Sequence, residues 1–145
     1  MWDNILKVGI LAILLVVVTI SGCTDNAENT YTVGNSTFNL SNQWAPTNIN
    51  GSSISRTKLE QNGVSILISQ YNDLSNYNQD YSNSKQNYQT NSTEITGISI
   101  TKINTGINKY LYYFQKNGKS FSVNIDGATE PNAIKYINSI ISTLN

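Results

Sequence analysis

Apolar and polar side chains alternate along two segments of the chain. The apolar positions are Val64, Ile66 and Ile68 in the first segment and Phe121, Val123 and Ile125 in the second. A period of two is typical of a strand that buries one face. We therefore predict that Phe121, Val123 and Ile125 face a core, and that the intervening Ser122, Asn124 and Asp126 form a solvated face.

Turn signals join these strands to partners. Asn117-Gly118 suits a two-residue type I′ turn, which needs positive φ at both central positions, and predicts that 109–116 pairs with the strand of Phe121. Gln61-Asn62-Gly63 likewise joins 53–59 to 64–71. Further strands are predicted at 31–33, 37–40 and 94–103, and a turn is predicted at 45–48 because of Pro46.

Two segments show helical spacing instead. Leu74, Tyr77, Tyr81 and Tyr88 predict a helix from 74 to about 89 with a tyrosine-rich stripe, and Asp73 is placed to cap it. A terminal helix is predicted after a cap at Thr129 or Glu130, with Pro131 in its first turn. The apolar stripe of this terminal helix is Ala133, Ile134, Ile137, Ile140, Ile141 and Leu144.

Hairpins with one helix in the middle and one at the end predict an α+β fold. We expect an antiparallel sheet flanked by helices, in an α/β/α sandwich, rather than a parallel doubly wound sheet. No fixed-period repeat is present, which argues against a solenoid.

The N-terminal segment predicts where in the cell the protein is located. Ile20-Ser21-Gly22-Cys23 resembles the lipobox of bacterial and archaeal lipoproteins, and it ends an apolar run at 8–20. Thirteen residues suit a signal peptide and fall short of the roughly 20 that span a bilayer. We predict a signal peptide at 1–22, a lipidated tether at 23–30 starting at Cys23, and one domain at 31–145. The alternative is an uncleaved signal anchor.

Composition narrows the classes of partner. Nine basic and nine acidic residues give a formal net charge of zero, which argues against nucleic-acid binding. Charged residues make up 12% of the chain, against roughly 25% in an average protein, and Asn, Ser, Thr and Gln replace them. Cys23 is the one cysteine, so disulfides do not hold the predicted domain.

Four Asn-x-Ser/Thr sequences are candidate N-glycosylation sites. They begin at Asn35, Asn39, Asn50 and Asn91. Such an acceptor implies local exposure in a secreted chain. The alternative is chance, because a composition rich in Asn, Ser and Thr generates these sequences.

Two segments resemble the PsbP-like family. Phe38-Asn39-Leu40-Ser41-Asn42-Gln43-Trp44 is similar to the opening segment of that family, with Ser41 in place of its usual proline. The segment from Tyr112 to Phe121 resembles its late hairpin. The resemblance implies an α/β/α sandwich around an antiparallel sheet. It also implies a binding or assembly factor, since family members include extrinsic subunits of photosynthetic complexes and small lipoproteins, and it assigns no functional residues.

Candidate catalytic groups are sparse. The chain has no histidine, which removes the usual general base near neutral pH and the commonest metal ligand. Ser55-Arg56-Thr57-Lys58 and Ser82-Asn83-Ser84-Lys85 match Ser-x-x-Lys without the companion motifs of penicillin-recognising enzymes. Asp126 and Glu130 favour a solvated turn and cap over a calcium site, which needs six to eight oxygens. We expect no catalytic residues, no metal and no cofactor.

Nine tyrosines are the remaining enrichment. Tyr112 and Tyr113 point to opposite faces of one strand, so we expect Tyr112 in the core and treat Tyr113 as a candidate partner contact. The expected function is a non-catalytic binding or assembly protein, lipid-anchored at the outer face of the cytoplasmic membrane, whose partner is an envelope protein or a glycan. The alternative is an envelope carbohydrate-binding module or a small hydrolase.

Overall fold

The computed structural model describes residues 28–145, which form nine strands and two helices. The strands are β1 (Glu28–Val33), β2 (Ser36–Ser41), β3 (Ala45–Asn50), β4 (Ile54–Gln61), β5 (Val64–Tyr71), β6 (Thr90–Ile95), β7 (Ile98–Gly106), β8 (Lys109–Lys116) and β9 (Lys119–Asp126). The helices are α1 (Leu74–Asn87) and α2 (Glu130–Thr143). Cys23 and the predicted signal peptide lie outside the described residues. Within residues 28–145, neither helix has the length and apolar composition that a bilayer crossing requires.

Seven strands form one antiparallel sheet in the order β3-β4-β5-β9-β8-β7-β6, and β1 and β2 form a separate two-stranded ribbon. Helix α1 packs on one face of the large sheet, and α2 packs with the ribbon on the other face. The predicted α+β class, an antiparallel sheet flanked by helices, is confirmed.

The larger core lies between the sheet, the ribbon and α2. Its fully buried side chains include Phe38, Leu40, Leu59, Ile66, Ile68, Ile100, Tyr112, Phe114, Phe121, Val123, Ile125, Ile137, Ile140 and Ile141. The end of α2 is fixed to β2, because the Asn145 amide donates to the Thr37 carbonyl at 3.0 Å and the Ser139 hydroxyl donates to the Asn39 carbonyl at 3.0 Å. Trp44 is buried in this core.

A smaller core lies under α1 on the opposite face. Tyr71, Tyr77, Ile103 and Tyr113 are buried there, and Ile54, Tyr81 and Leu111 pack against them. The predicted cap is confirmed, since the Asp73 carboxylate accepts a hydrogen bond from the Ser75 amide at 2.8 Å. The tyrosine stripe of α1 is therefore the surface by which a polar helix packs on the sheet.

The two predicted hairpin turns are confirmed. Asn117 and Gly118 have φ of 53° and 72°, and Asn62 and Gly63 have φ of 47° and 78°. Positive φ at both central positions is what a type I′ turn requires, and Asn-Gly adopts it at low cost. These turns fix the register of β8 with β9 and of β4 with β5.

Two predicted elements were wrong. The segment 45–48, predicted as a turn, belongs to edge strand β3, where a proline is tolerated because one side of the strand makes no ladder hydrogen bonds. The single strand predicted at 94–103 is two strands, because Thr96 (φ 49°) and Gly97 (φ 79°) form a turn between β6 and β7.

Three predicted orientations also differ. Ser122, expected on a solvated face, is buried because it contacts the Tyr71 hydroxyl at 3.0 Å on the face that α1 covers. Leu74 and Ile134, expected on buried stripes, are 54% and 43% exposed. The segment 28–30, expected in the tether, already belongs to β1.

Candidate functional site

A cleft of about 420 Å³ opens between α2 and the outer strands of the sheet, and we call it the α2 cleft. Its residues come from β6, β7, β8 and α2: Asn91, Thr93, Glu94, Ile95, Lys102, Tyr112, Ile134, Ile137 and Asn138. The aliphatic side chains form most of its wall, and polar side chains surround them. Apolar walls with a few polar groups are typical of small-molecule sites.

Contacts at both ends of α2 fix its position on the sheet. The C-terminal end of α2 is bonded to β2, whereas its N-terminal end lies beside β7, where Lys102 and Glu130 form an ion pair. Strand β6 is an edge strand of the sheet, and four of its six side chains are exposed. Ile134 is consequently left open at this edge.

The Tyr112 hydroxyl is the unusual group at this cleft. Tyr112 is 1% exposed, and within residues 28–145 its hydroxyl oxygen is buried with no hydrogen-bond partner. Buried polar groups are almost always bonded, and an unbonded one costs about 1–3 kcal/mol. Burial raises the pKa of Tyr112, and the nearby Glu130 carboxylate raises it further. The phenol therefore keeps its proton and can donate it to an acceptor.

The charges near the cleft are largely matched. The Lys102 ammonium bonds to the Glu130 carboxylate and also lies 5.2 Å from the centre of the Tyr110 ring. Glu94 adds one acidic side chain at the exposed edge strand. The net charge of Lys102, Glu130 and Glu94 is therefore one negative charge.

A second polar cluster lies under α1 and contains four tyrosines. The rings of Tyr77 and Tyr81 are stacked at 6.0 Å, and Tyr113 meets them edge-on at 5.9 and 5.2 Å. Tyr71 meets Tyr77 edge-on at 5.4 Å. These contacts fill the smaller core, so most ring surface faces other rings rather than solvent.

Three hydroxyls of this cluster, those of Tyr71, Tyr81 and Tyr113, form side-chain hydrogen bonds. Tyr71 donates to the Asp80 carboxylate, Tyr113 and Ser84 are joined at 2.8 Å, and Tyr81 and Thr101 are joined at 3.0 Å. Burial raises the pKa of Tyr77 to about 12 and that of Tyr113 to about 12. The neutral phenol is therefore the form that this core accommodates.

Tyr113, the candidate partner contact, is 2% exposed. It is packed in the smaller core under α1 rather than presented on an open strand face, which corrects that interpretation. Tyr112 lies in the core as predicted. A cleft of about 430 Å³ does border Tyr77, Tyr81 and Tyr113, but the Lys85 ammonium lies 5.0 Å from the centre of the Tyr81 ring.

The two Ser-x-x-Lys sequences lie in different settings. Ser55 is buried in β4, whereas Lys58, three residues along the strand, points to the opposite face and pairs with Glu60 at 2.7 Å. Ser82 is exposed on α1, and Lys85 lies over Tyr81. A Ser55–Lys58 dyad is excluded because strand neighbours at odd spacing face opposite sides.

Metal ligation has little support among residues 28–145, which contain no group of three acidic, cysteine or histidine side chains placed to hold an ion. Asp126 pairs with Lys109 at 3.5 Å, and Glu130 pairs with Lys102. The two carboxylates considered for calcium therefore each face a lysine.

The four glycosylation candidates divide into two pairs. The side-chain carbonyl of Asn35, an exposed residue, accepts from the Gln70 side-chain amide at 2.7 Å, and the side-chain carbonyl of the half-buried Asn39 accepts from the Thr30 hydroxyl at 2.9 Å. Asn50 and Asn91 are exposed on edge strands β3 and β6. Occupancy stays a prediction at all four positions.

Sequence reasoning did not find the α2 cleft. Lys102, which lines the cleft, and its ion-pair partner Glu130 are 28 positions apart, and the sequence indicated for Glu130 only a role as a cap or a calcium ligand. A local signal was present in Ile134, because a helix on a sheet does not need so wide an apolar stripe. A comparison of the chain with protein-family models, curated proteins and solved structures yields no match.

Proposed function

We propose that this chain is a lipid-anchored, extracytoplasmic binding or assembly protein of the cell envelope, without catalytic activity. The observation that supports binding is the α2 cleft, where Tyr112 keeps a buried, unpartnered hydroxyl beside aliphatic walls. The sequence Ile20-Ser21-Gly22-Cys23 supports the anchor. The α2 cleft is then the binding site, and Cys23 holds the domain at the outer face of the membrane.

The position of β1 supports a location close to the membrane. Strand β1 begins at Glu28, five residues after Cys23, and five residues span at most about 18 Å. A lipid on Cys23 would hold the domain near the headgroups rather than at the end of a long linker. The PsbP-like relationship is part of the proposal, supported by the antiparallel sheet and the terminal α2.

Binding in the α2 cleft can be tested with the fluorescent probe N-phenyl-1-naphthylamine and the soluble domain 24–145. This domain contains every described residue and therefore both cores. We expect Ile134→Asp to lower probe affinity at least about tenfold, because a charge buried by the probe is costly. The control is Ile49→Asp, which changes an exposed isoleucine on β3, outside the cleft. Equal affinity in both variants would reject the α2 cleft as the binding site.

A second candidate function is an envelope carbohydrate-binding module or a small hydrolase. The observation that favours it is the cleft bordered by Tyr77, Tyr81 and Tyr113. In a titration with soluble peptidoglycan or chitin fragments, this candidate requires that Tyr81→Ala abolish binding while Tyr88→Ala, an exposed tyrosine just beyond α1, does not. We expect no binding and no turnover of glycans, peptides or esters. Hydrolysis lost in Ser82→Ala would favour the hydrolase.

A further inference from the structure

We infer that the α2 cleft takes a neutral amphiphile, a molecule with an aliphatic body and one uncharged oxygen that accepts a hydrogen bond from Tyr112. This inference rests on the proposed function and specifies its ligand class. Three features of the cleft support it: the side chains of its wall, the hydroxyl without a partner, and the charges near its rim.

The wall of the α2 cleft favours an aliphatic body. Ile95, Ile134 and Ile137 supply it, and Ile134 is 43% exposed although it belongs to the apolar stripe of α2. A ligand that covers Ile134 removes this surface from water, which is favourable in proportion to the apolar area buried. The volume of about 420 Å³ lies within the roughly 300–1,000 Å³ of small-molecule sites.

The hydroxyl of Tyr112 defines the polar end of the ligand. It is buried, lacks a partner within the described chain, and belongs to a residue that lines the α2 cleft. An oxygen of the ligand that accepts this hydrogen bond removes an unfavourable feature of the empty protein as well as adding a contact.

The charges and the hydroxyl donor disfavour ionic ligands. Lys102 already bonds to Glu130, so a carboxylate in the cleft would compete with Glu130 and also meet Glu94. An ammonium would meet a donor instead of an acceptor at Tyr112, and Glu94 lies on the exposed edge strand, where solvent screens its charge. A neutral oxygen such as an alcohol, ether or ester meets neither penalty.

The experiment compares 1-octanol, octanoate and octylammonium as ligands of the soluble domain 24–145. Isoleucine methyl signals are followed by NMR, because three isoleucines line the cleft and Ile49 serves as a distant reference. We expect 1-octanol to shift the cleft methyls and to bind at least about tenfold more tightly than either ion, the equivalent of one buried hydrogen bond or more.

Two phenylalanine variants test the hydroxyl. Tyr112→Phe should lower the 1-octanol affinity about three- to tenfold, and should leave the melting temperature of the empty domain unchanged or raised. Tyr110→Phe is the matched control, since Tyr110 is buried on the same face of β8 and does not line the cleft. A lowered melting temperature in Tyr112→Phe would show that the phenol already has a partner in the empty domain, an unchanged affinity would show that the ligand does not bond to it, and either would overturn the inference.

The remaining outcomes distinguish failure of the proposed ligand class from failure of the proposed function. Octanoate or octylammonium binding as tightly as 1-octanol overturns the neutral ligand while the cleft remains a site. No methyl shift with 1-octanol, together with intact N-phenyl-1-naphthylamine binding, rejects the ligand class alone. Loss of binding for every compound rejects the proposed function itself.

Discussion

Individual tyrosines of the smaller core make the fold sensitive to alkaline pH. Burial raises the pKa of Tyr77 from 10.0 to about 12, so the folded state holds the phenolic proton more tightly than the unfolded chain does. The stabilising contribution of this group is complete below pH 10 and is lost as the pH rises toward 12. For a shift of two pKa units, the loss is about 2–3 kcal/mol.

We expect the free energy of unfolding to fall between pH 10 and pH 12 in urea titrations of the wild-type domain. Tyr77→Phe removes one of the groups that titrate and should make this decline shallower. Tyr88→Phe is the control, because Tyr88 is exposed and should leave the slope unchanged. An identical slope in Tyr77→Phe and the wild type would contradict the assignment to Tyr77.

At the scale of elements, β9 is the strand in which we expect a core substitution to lower the free energy of unfolding most. It lies at the centre of the sheet between β5 and β8, and its Phe121 stacks on Phe114 with ring centres 5.4 Å apart. Phe121→Ala should cost about 3 kcal/mol or more, because it leaves a cavity that strands on both sides cannot close. Denaturant unfolding checks this, with Asn124→Ala on the solvated face as the control. A cost below about 1 kcal/mol would show that Phe121 is not in the core.

The elements that the sequence predicts are those with local signals. Asn117-Gly118 and the period-two pattern after it determine the β8–β9 hairpin without help from the rest of the chain. Strand β3 has no such pattern, since it is an edge strand whose side chains are all exposed. The β6–β7 turn places Thr96 at positive φ, which is uncommon for a β-branched residue and which no turn rule favours.

The candidate site could not be predicted for a related reason. The α2 cleft depends on how α2 is placed beside β6, β7 and β8, and hydrogen bonds to β2, about 100 residues away in sequence, hold the C-terminal half of α2, as from Ser139 to Asn39. The burial of Ser122 likewise depends on α1, which lies about 40 residues earlier. Patterns within one element do not specify which other element covers it.

At the scale of the whole molecule, segments far apart in sequence pair with one another to complete the fold. Strand β5 pairs with β9, which joins the N-terminal hairpins to the C-terminal ones in one sheet. Strand β1 at the start of the described chain packs with β2 in the ribbon, and α2 at its end bonds to the same ribbon. Both ends of the domain therefore meet on one face, and a tether to a membrane would emerge there.

For the whole protein, the predicted lipid anchor at Cys23 should determine membrane association. We expect Cys23→Ser to move the protein from the membrane fraction to the soluble fraction of cells, because Cys23 is the only acceptor for a lipid thioether. Thr24→Ser, a conservative change at the next residue, should leave the protein in the membrane fraction. Released Cys23→Ser protein should still bind N-phenyl-1-naphthylamine, since the α2 cleft is built from β6, β7, β8 and α2. If Cys23→Ser stays in the membrane as firmly as the wild type, an uncleaved apolar segment at 8–20 holds the protein and the lipoprotein assignment is wrong.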